Sequence, residues 1–314
     1  MEKIDLHLHT TYSDGALDIF SLLTEVRKRN IKTVAIADHE TIMGLNGYKK
    51  INDIKIIPAI EMNVSLSGAH ILGYGMDNFK KIEEEFDKIR RNNENIVFDI
   101  IKLLKKDNFK IDEYDVIEST LEYHRLKKEM VENNSNIFRY DKEFIVVKTD
   151  IARTLMELGI TKSIDESYKR FLGPSGKYFI RTEKIKTRDA LDLIDSCNGI
   201  TVLAHPMTVN TRKNSLVNLC KELKEYGLSG IEVNGNTFRY SENQTNTYVA
   251  IARKLGFIET VGSDFHRMGQ QMGIDASPKI VANLEAKIKE LKLIKHQTIW
   301  CFCLYLKVVL LMSY

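Results

Sequence analysis

The chain has 314 residues, 43% of them hydrophobic and 28% charged, with only four prolines. This is the composition of a soluble globular protein, long enough for one large α/β domain or two smaller ones. A net charge of +3 is too small to announce a nucleic-acid or membrane partner. The four cysteines, Cys197, Cys220, Cys301 and Cys303, make no C-x-x-C pair and no secreted disulfide framework, so they read as reduced thiols, two of them in the core. The chain opens directly on a strand pattern without a charged-then-apolar signal segment, and cytoplasmic is the expected location.

The first element is residues 3–15, KIDLHLHTTYSDG. As a strand it places Ile4, Leu6 and Leu8 on one face and Asp5, His7 and His9 on the other. Two imidazoles at i and i+2 can then grip one ion, and the polar turn that follows delivers Asp14. Residues 17–29 carry Leu17, Phe20, Leu23 and Val26 at helical spacing. Three short apolar runs come next: TVAIADH ends at Asp38 and His39, IKIIPAIEMN ends near Glu61, and AHILGYG opens with His70. The link over 65–68 is too short for a helical crossover, so the last two runs should pair antiparallel.

From residue 77 the pattern changes to helical periodicity (Ile82, Phe86, Ile89, Ile96, Ile100, Leu103, Leu104), and no strand run of the earlier kind returns until GITVLAHP at 199–206. Residues 77–190 therefore read as a mostly helical insertion. Its charges nearly cancel, so it lacks the positive stripe of a nucleic-acid clamp. The strand–helix rhythm resumes with helices over 214–226 and 241–255 around GIEVNG at 230–235, and ends on FIETVGSDFH at 257–266. Seven strands alternating with helices predict a barrel or doubly wound sheet with its site at the carboxyl ends of the strands. The domains are then 1–76 with 191–298 as the barrel, 77–190 as the insertion, and 299–314 as an apolar tail too short for a convincing membrane span.

Polar residues gather at those strand ends: His7, His9, Asp14, Asp38, His39, Glu61, His70, His205, Asp264 and His266. They include six of the eight histidines, leaving out only His124 and His296. Each has a bland alternative (a turn cap for Asp264, a structural strand-end histidine for His70 or His205), but the alternatives become implausible together. Imidazole and carboxylate without thiolate suits Mn²⁺, Zn²⁺ or Fe²⁺. Asp38 adjoins His39 and reads as the group that orients it.

The segments HLHTTYSDG, ADH, the glutamate of IPAIEMN, the histidine of GAHILGYG, AHP and GSDFH together resemble the PHP (polymerase and histidinol phosphatase) superfamily, over about 1–76 and 196–267. The resemblance implies an α/β fold, a distorted (β/α)7 TIM-like barrel, and a trinuclear metal site. Carried over by position, His7, His9, Glu61 and Asp264 would hold one ion. Glu61 would bridge to a second held by His70 and His205, and Asp14, His39 and His266 would hold the third. The long insertion and the sequence GSDFHR look like the branch containing nucleoside 3′,5′-bisphosphate phosphatases and oligoribonucleotide-trimming enzymes. Those relatives carry an R-P-H-x-A-R-like stretch where this chain has Lys148, Thr149, Asp150, Ile151, Ala152 and Arg153. Lys148, Arg153, Arg267 and Arg181 are the candidate phosphate contacts.

The expected function is hydrolysis of a phosphomonoester of a small metabolite, a nucleotide such as a nucleoside 3′,5′-bisphosphate, by a metal-activated water. Other readings of the same ligand set are a histidinol-phosphate phosphatase, a 5′ exonuclease on short RNA, and a non-catalytic metal-binding module. The expected partner is a small phosphorylated substrate or a short oligoribonucleotide, with no membrane.

Overall fold

The first strand, β1 (Glu2–Leu8), is buried from Ile4 onward on both faces, so it needs cover on two sides. In the computed structural model, which describes residues 1–45, 48–134, 145–209, 213–235 and 240–312, that cover is a curled sheet with helices outside it. β1 pairs in parallel with β2 (Thr33–Ile36), and β2 in parallel with β3 (Lys55–Asn63). β4 (His70–Tyr74) runs antiparallel to both β3 and β5 (Ile200–Leu203). β6 (Leu228–Asn234) and β7 (Ile258–Val261) then continue in parallel from β5. The chain just beyond β7 returns to β1, where the Asp264 amide donates to the His7 carbonyl at 2.9 Å and the His9 amide to the Phe265 carbonyl at 3.1 Å. The sheet is a nearly closed barrel.

The seven strands expected from the sequence are all present, and the antiparallel pairing of β3 with β4 is as expected. An eighth strand, β8 (Ile274–Ala276), pairs antiparallel with β1 on its other edge. Three residues are too few to show a period, so it has no signature in the sequence. The reversal of β4 has a consequence for chemistry. Its first residue, His70, pairs with Asn63, the last of β3, so His70 stands at the same end of the sheet as Glu61.

Outside the barrel, α1 (Ile19–Lys28) buries Ile19, Leu22, Leu23 and Val26. It starts two residues after the expected position because Asp18 is its cap, accepting from the Phe20 amide at 2.9 Å and the Ser21 amide at 3.2 Å. The chain forms two compact units, Met1–Ile82 with Lys186–Tyr314, and Glu83–Ile185. α2 (Phe79–Lys106) leads into the second unit, which adds α3 (Glu113–Asn134), α4 (Lys148–Glu157) and α5 (Ile164–Ser167). Ile100, Ile101, Leu104, Val116, Ile151, Leu155 and Leu172 form its own core. The barrel unit resumes with α6 (Thr187–Ser196), α7 (Lys213–Glu225), α8 (Glu242–Leu255) and α9 (Lys279–Met312). The apolar tail lies largely in α9; its side chains from residue 298 onward fall outside the described residues. Among the described residues no helix is long and apolar enough to cross a membrane. Cys197 and Cys220 are buried free thiols.

Barrel closure leaves no room at Gly262. A Cβ built there would lie 2.2 Å from the Cβ of His7 and 2.8 Å from its backbone nitrogen, against backbone that cannot turn aside. Gly262→Ala should therefore push β7 from β1 and destabilise the fold by about 1–3 kcal/mol, as overpacking does. Urea denaturation monitored by circular dichroism measures this, and an unchanged midpoint would refute the close approach.

Candidate metal centre

His7 and His9 point into the barrel because Ile4, Leu6 and Leu8 take the opposite face of β1; all five side chains are fully buried. Asp5, on the same face as the histidines, ties down the segment that closes the barrel. Its carboxylate accepts from the Ser263 amide at 2.8 Å and the Gly273 amide at 2.7 Å. Burial pushes its pKa up to about 6 even though these bonds pull the other way.

The turn after β1 is held by Asp38. Its carboxylate accepts from the Thr10 amide at 2.7 Å, the Thr10 hydroxyl at 2.6 Å and the Ser13 hydroxyl at 2.6 Å. Through these partners Asp38 braces the turn that presents Asp14, and its carboxylate is engaged there and not with the ring of its neighbour His39. Asp14 then lies 3.2 Å from His266 Nε2, 3.8 Å from His9 Nδ1 and 3.9 Å from His39 Nε2. His39 comes alongside β3 by backbone pairing, with the Glu40 amide donating to the Glu61 carbonyl at 2.9 Å and the Glu61 amide to the Asp38 carbonyl at 3.2 Å.

Glu61 is the hub. Its Oε2 lies 3.2 Å from His7 Nε2, 3.2 Å from His9 Nε2 and 3.3 Å from His39 Nδ1. Its Oε1 lies 2.8 Å from both His70 Nδ1 and His205 Nε2. Asp264 Oδ1 is 3.1 Å from His9 Nε2 and 3.5 Å from His7 Nε2. Three sets of donor atoms, each within 4.8 Å of one another, could hold a metal: His7, His9, Glu61 and Asp264; His9, Asp14, His39 and His266; and His39, Glu61 and His70. His205 reaches the last set through Glu61. All nine candidate ligands thus converge on one cluster.

The donor set fits divalent ions on the chain's own terms. Glu61 Oε2, His7 Nε2, His9 Nε2 and Nδ1, and His39 Nδ1 are buried and make no hydrogen bond, an arrangement that costs free energy unless a cation is shared among them. Two candidate ligands also sit in strained backbone, His205 at φ 22° and Asp264 at φ 53°, a cost of about 1–3 kcal/mol each that structures retain mainly at functional sites. A cavity of about 370 Å³ opens over the cluster, bordered by His39, His70, His205, Thr208 and His266.

Two residues with a part in this geometry carried little signal in the sequence. Glu232 of β6 is buried and faces His7 Nδ1 at 3.1 Å. Its only mark was an acid between Ile231 and Val233 in an apolar run. Thr208 donates to the Gly68 carbonyl at 2.7 Å and lies 2.9 Å from His205 Nδ1. Of the candidate phosphate contacts, Arg267 is exposed beside His266, its amide donating to Gln270 at 2.9 Å. The other three belong to the helical unit. Lys148 donates to the Ile180 carbonyl at 2.6 Å, and burial lowers its pKa. Arg153 pairs with Asp150 at 2.6 Å and lies over the Tyr123 ring at 3.7 Å. Arg181 is exposed. Asp150 is buried, and it also accepts from the Val147 amide at 2.8 Å, closing the first turn of α4.

A model of the PHP domain matches residues 5–184, more than half of the chain. This chain belongs to the PHP family. It is 25% identical over 272 residues to a 5′-3′ exoribonuclease of Haemophilus influenzae, covering 84% of this chain and 90% of that one. It is 24% identical to a 3′,5′-nucleoside bisphosphate phosphatase of Chromobacterium violaceum, covering 86% and 89%. In fold, this PHP protein superposes on a protein of Bifidobacterium adolescentis described as a metal-dependent phosphoesterase. The TM-score is 0.66 at 21% identity, over 90% of this chain and 94% of that one. As a PHP-family protein the chain is a metal-dependent hydrolase of phosphoric esters.

The cluster's charges set its acid–base behaviour. Burial opposes protonation of His7 and His9, but the surrounding carboxylates prevail: His7 is driven well above 6.5 by Glu61, Asp264 and Glu232, and His9 up to about 9 by Asp264 and Glu61. His39, by contrast, is pressed down to about 4 by burial. Burial would raise Glu61 and Asp264, yet the imidazoles hold both well below the ordinary carboxylate range. In chelator-stripped protein, the ion pairs of His9 stabilise the fold fully below 6.5 and are lost as pH rises through about 9, while His39 stays neutral across that window. Its melting temperature should fall between pH 6.5 and 9. Because ligands must lose their protons, Mn²⁺ uptake at pH 7 should release protons, measurable by calorimetry in buffers of different ionisation enthalpy. Proton-neutral uptake would contradict the charge state of His7 and His9.

Proposed function

We propose that this protein is a phosphomonoesterase acting on a small phosphorylated metabolite, a nucleotide such as a nucleoside 3′,5′-bisphosphate. The observation that carries the reading is Glu61, whose two oxygens face different sets of imidazoles. A buried carboxylate shared in this way is suited to bridging two ions. In this reading His7, His9, Glu61 and Asp264 hold one ion, Glu61, His70 and His205 a second, and Asp14, His39 and His266 a third. The donors are nitrogen and oxygen, which favours Mn²⁺, Fe²⁺ or Zn²⁺. We read the Met1–Ile82 and Lys186–Tyr314 unit as the catalytic domain and the helical unit as its insertion.

Bound divalent ions supply a lowered water pKa and neutralisation of charge on phosphate oxygens. The chain's own side chains do the rest. Asp38 fixes the turn carrying Asp14, Asp5 fixes the segment carrying Asp264, and the cavity beside His70 and His205 accepts a phosphoryl group of limited size. Of the four candidate phosphate contacts, Arg267 is the one in the barrel unit, next in sequence to His266, and in this reading it meets substrate charge. Arg153 is already paired with Asp150, which weakens its claim on a second phosphate, and Lys148 lacks the planar fork of arginine. A second reading, trimming of short 5′-phosphorylated RNA, is favoured by the likeness to the Haemophilus influenzae exoribonuclease.

Turnover of adenosine 3′,5′-bisphosphate, AMP, histidinol phosphate, an aryl phosphate and a short 5′-phosphorylated RNA, each with Mn²⁺, Fe²⁺ or Zn²⁺, separates these readings. Release of phosphate from the bisphosphate above all others is the expected result, and inactivity toward the whole panel would sink the enzymatic reading. His9→Ala and Asp264→Ala should each lower kcat by about a thousandfold, the several kcal/mol that metal-ion catalysis supplies, with the far-ultraviolet spectrum unchanged. Wild-type rates in either variant would remove that residue from the ligand set.

A further inference from the structure

We infer that Glu232 is a positioning residue that ties the ligand sets of two ions together, by fixing the tautomer of His7 and the backbone of His205. The inference rests on the functional reading above. Glu232 Oε1 lies 3.1 Å from His7 Nδ1, while Oε2 accepts from the His205 amide at 2.8 Å and from the Tyr240 hydroxyl at 3.1 Å. A carboxylate only accepts, so His7 must donate from Nδ1. A ring that gives up its second proton to a metal keeps one N–H, and its lone pair then stands on Nε2. That atom is buried, makes no hydrogen bond and lies 3.2 Å from Glu61 Oε2 and 3.5 Å from Asp264 Oδ1. A lone pair among carboxylate oxygens calls for a cation.

On the other side, the His205 amide belongs to a residue at φ 22° and ψ 67°, a conformation that needs holding. Glu232 supplies the hold, and with it the 2.8 Å approach of His205 Nε2 to Glu61 Oε1. Backbone seals the pair, since a Cβ on Gly262 would come within 3.0 Å of Glu232 Oε1. Glu232 thus acts on one ligand of the His7 set and one of the His205 set at once. Loss of such a group typically weakens metal affinity by about 10–100-fold.

The first test needs no variant. In Zn²⁺-loaded wild-type protein, nitrogen-15 spectra of histidine, with His7 assigned by substitution, should show the proton on Nδ1; a proton on Nε2 overturns the inference. The second compares zinc affinity and stoichiometry across variants. Glu232→Gln, which has one acceptor oxygen for its partners, should bind Zn²⁺ about 10–100-fold more weakly while the chelator-stripped protein keeps its spectrum. Tyr240→Phe should keep wild-type affinity. Equal weakening in Tyr240→Phe would mean that Glu232 serves only to seat the tyrosine, and unchanged affinity in Glu232→Gln would overturn the positioning role. Wild-type protein that takes up no metal would remove the functional reading and this inference with it, whereas strong wild-type binding with no Glu232 effect removes the inference alone.

Discussion

One buried carboxylate sets the terms for the barrel's carboxyl end. Ionised Glu61 is held without solvent among His7, His9, His39, His70 and His205. Burying such a charge costs several kcal/mol unless it is met by opposite charge. The histidines answer that cost by protonation or by sharing ions with it, and either answer requires their ring nitrogens to be aimed at its oxygens. Much of the surrounding structure does this aiming. Asp5 anchors the chain beyond β7, Asp38 anchors the turn beyond β1, and backbone pairing of the loop after β2 sets His39 beside Glu61.

The parts legible in the sequence were those with a period or a rare residue. Alternation in β1 separated Ile4, Leu6 and Leu8 from Asp5, His7 and His9. The short link before His70 implied the reversed strand, and therefore which end of the sheet that histidine occupies. Ligand candidates stood out because histidine is scarce and this chain gathers its histidines at strand ends. What could not be read was three-dimensional bracing. Glu232 is one acid within a β6 pattern, and only the curl of the sheet carries it from the far end of the strand order back to His7. The partners of Asp38 could not be read either, since sequence adjacency pointed to His39 whereas its carboxylate reaches across to Thr10 and Ser13. β8 was too short to register.

Strain and close packing meet at the same place. His205 and Asp264 adopt left-handed backbone conformations where glycine or asparagine would be easier, and Gly262 is small because His7 lies directly against it. Each feature opposes stability locally. Together they let segments distant in sequence bring donor atoms within 4.8 Å of one another, and the barrel's apolar layers, with Ile4, Leu6, Ile36, Ile60, Leu72 and Val202 fully or almost fully buried, supply the compensating free energy.

The antiparallel pairing of β4 with β5 also bears on how such a chain can change over time. Tyr74, the last residue of β4, is the ladder partner of Ile200, the first of β5, so the segment between them begins and ends at neighbouring points. Topologically it is the loop of a hairpin that has grown to hold a domain. Lengthening a loop whose ends are already fixed together costs only about 0.6 kcal/mol per doubling. Helical material can therefore be gained, lost or exchanged there while the register of the strands that carry Glu61, His70 and His205 stays in place.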